Sequence, residues 1–337
     1  VGSTALPNVS VALPRETLPA ATLEASAKSW LAQPTVVKSH GTRAILPIVR
    51  SRGNAGAPQI EYRVVETLTL EATREAGRWD VWLDARDAAP VARHSTLMFN
   101  TGRVQFDVPD RYPGGTRNPQ PAPQDVHTVN GAQVTSDLDG HITWATGDAT
   151  IAPGLTGPLV AITNKAGALI TDTLTLVANG SVTWSKATDG PSDAQLDSFV
   201  FASQAKAFVR AKLNPNLSWL DNQLSVNVNE NQTCNAYSTG DDIHFFTADT
   251  QCENTGRIAD VVYHEFGHSV HANSLIPGEG AFDGSLSEGM ADTMAVSITG
   301  DHGMGRGFFY NDTALRDVGT GGKRWPDDAD GEVHDEG

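Results

Sequence analysis

The chain has 337 residues, 39% of them hydrophobic, with 40 acidic against 24 basic side chains and a formal net charge of -16. That length allows two or three domains with at least one sizeable core. The charge excludes the basic face that phosphate binding needs, so no nucleic-acid partner is expected, and no apolar run reaches the 18 residues of a membrane span.

Taken in chain order, the start, Val-Gly-Ser-Thr-Ala-Leu, has neither a basic nor an apolar leader region, so any signal peptide is expected to have been removed. A helical pattern covers residues 22–32. Alternating runs at 60–65 and 79–84, with Glu75-Ala76-Gly77-Arg78 between them, read as an antiparallel hairpin with one wet face. Residues 110–125 hold so many prolines and glycines that they read as a linker without any regular element. From 126 to 186 short strands come at even spacing, with turns at Asn130-Gly131, Asp139-Gly140, Ala166-Gly167 and Asn179-Gly180. That texture predicts a small β-sandwich or β-rich lobe.

From 191 helix and mixed structure take over. Ser192-Asp193 can cap a helix carrying Leu196, Phe199, Val200, Phe208 and Val209, which ends before Leu213-Asn214-Pro215. Residues 223–228 alternate as a strand, with 242–247 as the expected antiparallel partner. The predicted fold class is α+β in three regions: 1–98, a β-rich domain at 99–190, and 191–337. The two cysteines, Cys234 and Cys252, flank a hairpin-like stretch turning at Gly240-Asp241. A disulfide there suits a secreted protein; the alternative is two free thiols in a cytosolic one.

The chemistry concentrates in the helical pattern over residues 258–274. His264 and His268 are one turn apart and share a face, so both imidazoles can meet one metal ion. Glu265 beside them can reach a water on that metal without ligating it, as a general base must. A catalytic zinc needs a third protein ligand. Twenty residues after His268 comes Ser-Leu-Ser-Glu-Gly-Met-Ala-Asp, in which Glu288 and Asp292 fall at i, i+4 on a second helix. Glu288 then serves as third ligand, and Asp292 can accept the free ring N–H of a zinc histidine and fix its orientation. The competing reading is a pair of surface helices with no metal.

His264-Glu265-Phe266-Gly267-His268 followed by Glu288-Gly289-Met290-Ala291-Asp292 resembles the thermolysin-type gluzincin metallopeptidases, the fungalysin branch most closely. The resemblance covers residues 191–337 best. It implies a zincin lobe with a mixed sheet and the His-Glu-x-x-His helix, then a helical C-terminal lobe that is missing or cut short here. Cys234-Asn235-Ala236-Tyr237 resembles the family's edge strand, which implies that Asn235 and Ala236 hold the substrate backbone. Residues 331–337 resemble the segment of the transition-state histidine, which implies that His334 stabilises the oxyanion. Residues 1–98 resemble the closing strands of a propeptide, so the implied product is a secreted zymogen with peptide substrates, its own propeptide and C-terminal lobe as partners.

The pattern also departs from that family. No tyrosine lies between 268 and 288, the slot falling on Glu279, and no aspartate sits at the offset expected to support His334, although Asp328 and Asp330 are near. Residues 325–332, Trp-Pro-Asp-Asp-Ala-Asp-Gly-Glu, offer oxygens for calcium, but Pro326 takes the place of a first EF-hand ligand and a solvated acidic loop is the first reading. Asp137-Leu138-Asp139-Gly140 reads first as a hairpin turn. The expected function is a zinc endopeptidase. The alternatives are a zinc-binding homologue that no longer cleaves and acts in adhesion, or an aminopeptidase using Glu279 for the substrate amine.

Overall fold

A 14-residue strand, β3 (Gln59–Ala72), is the spine of the first of two units into which the chain divides, Val1–Phe99. The computed structural model describes residues 9–31, 34–50, 59–73, 77–96, 99–276, 278, 282–319 and 333–336. In the first unit, helix α1 (Ala20–Ser29) precedes strands β1 (Thr35–His40), β2 (Ala44–Arg50), β3, β4 (Arg78–Asp84) and β5 (Pro90–Ser95), all paired antiparallel. Alternation along β3 and β4 buries Leu68, Leu70, Val81 and Leu83 on one face, where Leu23 and Ala27 of α1 cover them. Residues predicted as a hairpin thus lie on β3 and β4, with Leu70 opposite Trp79; residues 74–76 of the expected turn lie outside the described residues.

The second unit, Asn100–Gly337, is mixed α+β. Its strands up to residue 184 are β6 (Asn100–Pro109), β7 (Arg117–Pro121), β8 (Val126–Val129), β9 (Ala132–Thr135), β10 (His141–Trp144), β11 (Ala149–Ala152), β12 (Val160–Asn164), β13 (Leu174–Leu176) and β14 (Ser181–Trp184). Then follow α2 (Gly190–Phe208), β15 (Leu224–Glu230), β16 (Ala236–Ser238), β17 (Asp242–Phe246), α3 (Ala259–Ser274), α4 (Gly284–Thr299), β18 (Gly303–Met304), β19 (Arg316–Asp317) and α5 (Val333–Glu336). The Asn130-Gly131 turn is a true two-residue hairpin between β8 and β9, with φ of +50° and +85°, the left-handed pair such turns require.

Several expectations are corrected. The proline-rich stretch is not all linker: β7 pairs antiparallel with β6 from Pro109–Arg117 to Gln105–Pro121, because an edge strand tolerates Pro119 and Pro121, whose missing N–H groups a central strand would need. Residue 190 is no domain boundary and 126–186 is no separate sandwich. β12 pairs parallel with β15, β14 pairs parallel with β6, and Phe106 packs edge-on against both Trp184 and Phe199 of α2, at 5.5 and 5.8 Å between ring centres. One core runs through all of these elements. The Asp137–Gly140 turn joins strands of two different sheets rather than a hairpin, its Asp137 carboxylate accepting from the N–H groups of Asp139 and His141. The N-cap of α2 is Asp189, three residues before Ser192 of the expected cap, and Asp193 is buried inside the helix between Arg117 and Arg257.

The sheet nearest the histidine helix has the order β12-β15-β17-β16. β17 pairs parallel with β15, not antiparallel as expected. After β15 the chain steps over one strand position to make β16, and the turn at Gly240 (φ +99°) returns β17 antiparallel to β16 into the gap. A disulfide joins Cys234 to Cys252, with 5.4 Å between Cα atoms, across this hairpin. No helix among the described residues is long and apolar enough to cross a membrane.

Away from that sheet, Asp125 and His127 are wholly buried, with 3.6 Å between Nδ1 and a carboxylate oxygen. The Gly154 N–H donates to His127 Nδ1 and the Thr156 N–H to Asp125. Burial pushes Asp125 up to about 7, against the N–H donors of Thr156 and Val126, and pushes His127 down to about 4. A carboxyl raised by folding stabilises the fold below its unfolded value and loses that contribution as pH rises through the folded one. His127, lowered by folding, behaves oppositely: its contribution is intact above about 6.5 and lost as pH falls through about 4. Asp125→Asn is therefore expected to be roughly 2–4 kcal/mol more stabilising at pH 8 than at pH 4 by urea unfolding. An effect independent of pH would contradict the burial account.

Candidate metal centre

Helix α3 owes its position to its first turn. The Arg111 carbonyl accepts the Ala259 N–H at 2.8 Å, and the Arg111 guanidinium clasps Asp260 at 2.5 and 3.1 Å, so chain end and charge are both fixed. Its inner face buries Ile258, Val262 and Phe266. Helix α4 is capped by Asp283, which accepts the Leu286 N–H, and stops at Gly300 in the left-handed region, φ +71°. The two helices meet at Gly267, where a Cβ would lie 2.6 Å from the Ala291 Cα. Only glycine permits that approach.

The approach sets the side chains. His264 Nε2 and His268 Nε2 are 3.0 Å apart, and Glu288 reaches them at 3.1 and 3.5 Å. One donor atom from each of the three lies within 4.8 Å of the others. Asp292 sits 2.6 Å from His264 Nδ1 and Ser287 Oγ 2.8 Å from His268 Nδ1. A carboxylate only accepts, so a neutral His264 can keep its proton on Nδ1 against Asp292, the nearer carboxylate, with its Nε2 lone pair toward the shared point. Ser287 can accept in the same way from His268, which directs that ring's Nε2 lone pair to the same point. Glu288 Oε2 is buried and takes no hydrogen bond. Two imidazole nitrogens and a carboxylate oxygen converging on one spot could hold a cation, and the donor set suits zinc.

The electrostatics agree. Burial would lower His264, but the carboxylates of Asp292 and Glu288 beside it outweigh this and hold it up at about 9. Burial and the His264 charge push His268 down to about 4. Glu288 and Asp292 are held below the usual carboxylate range by their histidine and arginine partners in spite of burial. Without a metal, the pocket thus draws a proton onto His264. Burial pushes Glu265 up to about 7, moderated by His264.

These groups line a cleft of about 850 Å³. Glu265 is 6% exposed there, and His334 of α5 stands 3.4 Å from Glu288 Oε2. The cleft's opposite wall is β16, the end strand of its sheet, with Asn235 exposed just before it and Ala236 paired with Phe245. The structure therefore brings His264, His268, Glu288, Glu265, His334, Asn235 and Ala236 to one cleft, with Asp292 behind His264. Glu279, Asp328, Asp330 and the acidic stretch 325–332 lie outside the described residues.

Sequence reasoning missed Arg316, whose guanidinium donates to both Asp292 oxygens at 2.8 and 2.9 Å and lies 3.5 Å from His264 Nδ1. It stands on the two-residue strand β19, where no periodicity marks it. Ser287 and Gly267 were missed as well, though both adjoin ligands in sequence. Tyr237 is the tyrosine among the cleft residues described; its ring stacks on His244 and its hydroxyl points to Glu230. Compared with known proteins, the chain matches no protein-family model and no curated protein sequence.

In a helix interior, Gly→Ala ordinarily stabilises by about 1 kcal/mol. Gly267→Ala is expected to do the reverse, destabilising by roughly 1–3 kcal/mol as α4 is forced outward. Urea unfolding reads the sign directly, and a neutral or stabilising result would contradict the close crossing.

Proposed function

We propose that the chain is a secreted zinc-dependent endopeptidase of the thermolysin type, nearest the fungalysins, with a zincin lobe in its second unit. The observation that carries this is the convergence of His264 Nε2, His268 Nε2 and Glu288 within 4.8 Å, beside a buried Glu265 and an open strand edge. The disulfide supports an oxidising compartment. Residues 1–98 serve as the propeptide of a zymogen in this reading.

His264, His268 and Glu288 would hold the ion. When bound there, zinc supplies Lewis acidity toward a carbonyl oxygen and brings the pKa of water down to about 7. Glu265, poised near neutrality by burial, takes the proton of the attacking water on its carboxylate and passes it to the leaving amine. Asp292 keeps the His264 proton on Nδ1. A peptide adding to the free edge of β16 offers its backbone to that strand, with Asn235 and Ala236 as the gripping pair. His334 and Arg316 supply N–H donors to the developing oxyanion, a share of which falls to Arg316 because the cleft tyrosine is turned to Glu230.

Glu265→Gln is expected to retain zinc by metal analysis while losing about three or more orders of magnitude in peptide hydrolysis. Full activity in that variant with zinc in place would overturn the base assignment. Absence of activity in the wild type with zinc in place would favour the alternative of a binding protein that no longer cleaves.

A further inference from the structure

On a different part of the second unit, a cleft of about 710 Å³ opens along α2 between β7 and the turn at Leu220-Asp221. That volume is in the range of small-molecule sites. Pro121, Leu138, Leu159, Val200 and Leu220 make its wall mostly carbon, and Leu138 stands 64% exposed at the mouth. The polar groups of α2 along it are already engaged: the Ser203 hydroxyl donates to the Phe199 carbonyl, and Gln204 accepts from Tyr263.

Lys206 is the exception. It is only 4% exposed, and its ammonium donates to the carbonyls of Leu159 and Asn222 at 2.8 and 2.6 Å. An ammonium has three protons, so one is left over. Among the described residues no carboxylate pairs with it, whereas a buried charge is normally compensated by an opposite one. The neighbouring Arg210 is tied to the exposed Asp221 at 2.5 Å. In a chain of net charge -16, one end of an apolar cleft thus carries two cations against one solvated carboxylate. Burial and then Arg210 push Lys206 down to about 8, which leaves it protonated at neutral pH.

We propose that this cleft binds an amphipathic monocarboxylate of the fatty-acid type, its carboxylate on the third Lys206 proton and its chain along the wall from Leu159 to Leu138. A charge-assisted hydrogen bond to a desolvated ammonium supplies the preference for the acid, and the carbon wall supplies the affinity for the chain. The site shares no residue with the metal centre, so its occupancy is independent of zinc.

Calorimetric titration of the full chain with sodium dodecanoate at pH 7, below its micelle concentration, tests this, with dodecanol as the uncharged control. One saturable site is expected for dodecanoate, with dodecanol at least about ten-fold weaker. Leu138→Glu, at an exposed turn position, should weaken dodecanoate by about ten-fold or more without changing the unfolding midpoint. Lys206→Met, where it folds, should erase the preference for dodecanoate over dodecanol. Chelator-treated protein and Glu265→Gln should bind dodecanoate as the wild type does, which separates this site from the peptidase reading. No saturable binding by the wild type, equal binding of acid and alcohol, or an unchanged Leu138→Glu variant would overturn the proposal.

Discussion

The candidate metal centre depends on one close approach, the crossing of α3 and α4 at Gly267 and Ala291. Two histidines one turn apart present two ligands on any helix, but a third must come from elsewhere at a distance set by backbone, not side-chain reach. With no Cβ at Gly267, α4 comes near enough for Glu288 to meet both imidazoles and for Asp292 to meet the far side of His264. The same helix supplies Ser287 to the second imidazole. A single helix pair thus sets three ligands and the two groups that orient them.

Around this pair the structure spends charge in a consistent direction. Arg111 fixes the start of α3 through Asp260 and also reaches Asp301 and the Gly303 carbonyl, tying the histidine helix to the loop that leads to Arg316. Arg316 in turn neutralises Asp292, leaving that carboxylate free to orient His264 without making the pocket so acidic that Glu265 would stay protonated. The disulfide holds the start of β16 to the segment after β17, and Tyr310 donates to the carbonyls of that segment, so both walls of the cleft are tied down near the free strand edge.

How legible this was depends on range. The candidate ligands and the aspartate behind them were readable because each pair is local: 264 with 268, and 288 with 292, are set by helical periodicity alone. The β8–β9 hairpin was readable from Asn-Gly for the same reason. What escaped is non-local. The parallel pairing of β17 with β15 follows from a strand being skipped, which no alternation pattern encodes. The proline edge strand β7 looks like a linker until β6 is seen beside it, and the absence of a boundary at 190 shows only in the contact of Phe106 with Trp184 and Phe199. Arg316 lies 24 residues past Asp292 in an irregular stretch and becomes meaningful only once folded against it.

Everything proposed for the cleft turns on a cation held by two imidazoles and one carboxylate. Metal analysis combined with zinc-edge X-ray absorption on the purified chain, alongside Glu288→Ala, tests it most directly. About one zinc per chain is expected after dialysis, with two imidazole nitrogens and carboxylate or water oxygen at about 2.0–2.2 Å and no sulfur, and a clear loss of zinc in the variant. A chain that retains no zinc, a shell containing sulfur, or undiminished zinc in Glu288→Ala would contradict it.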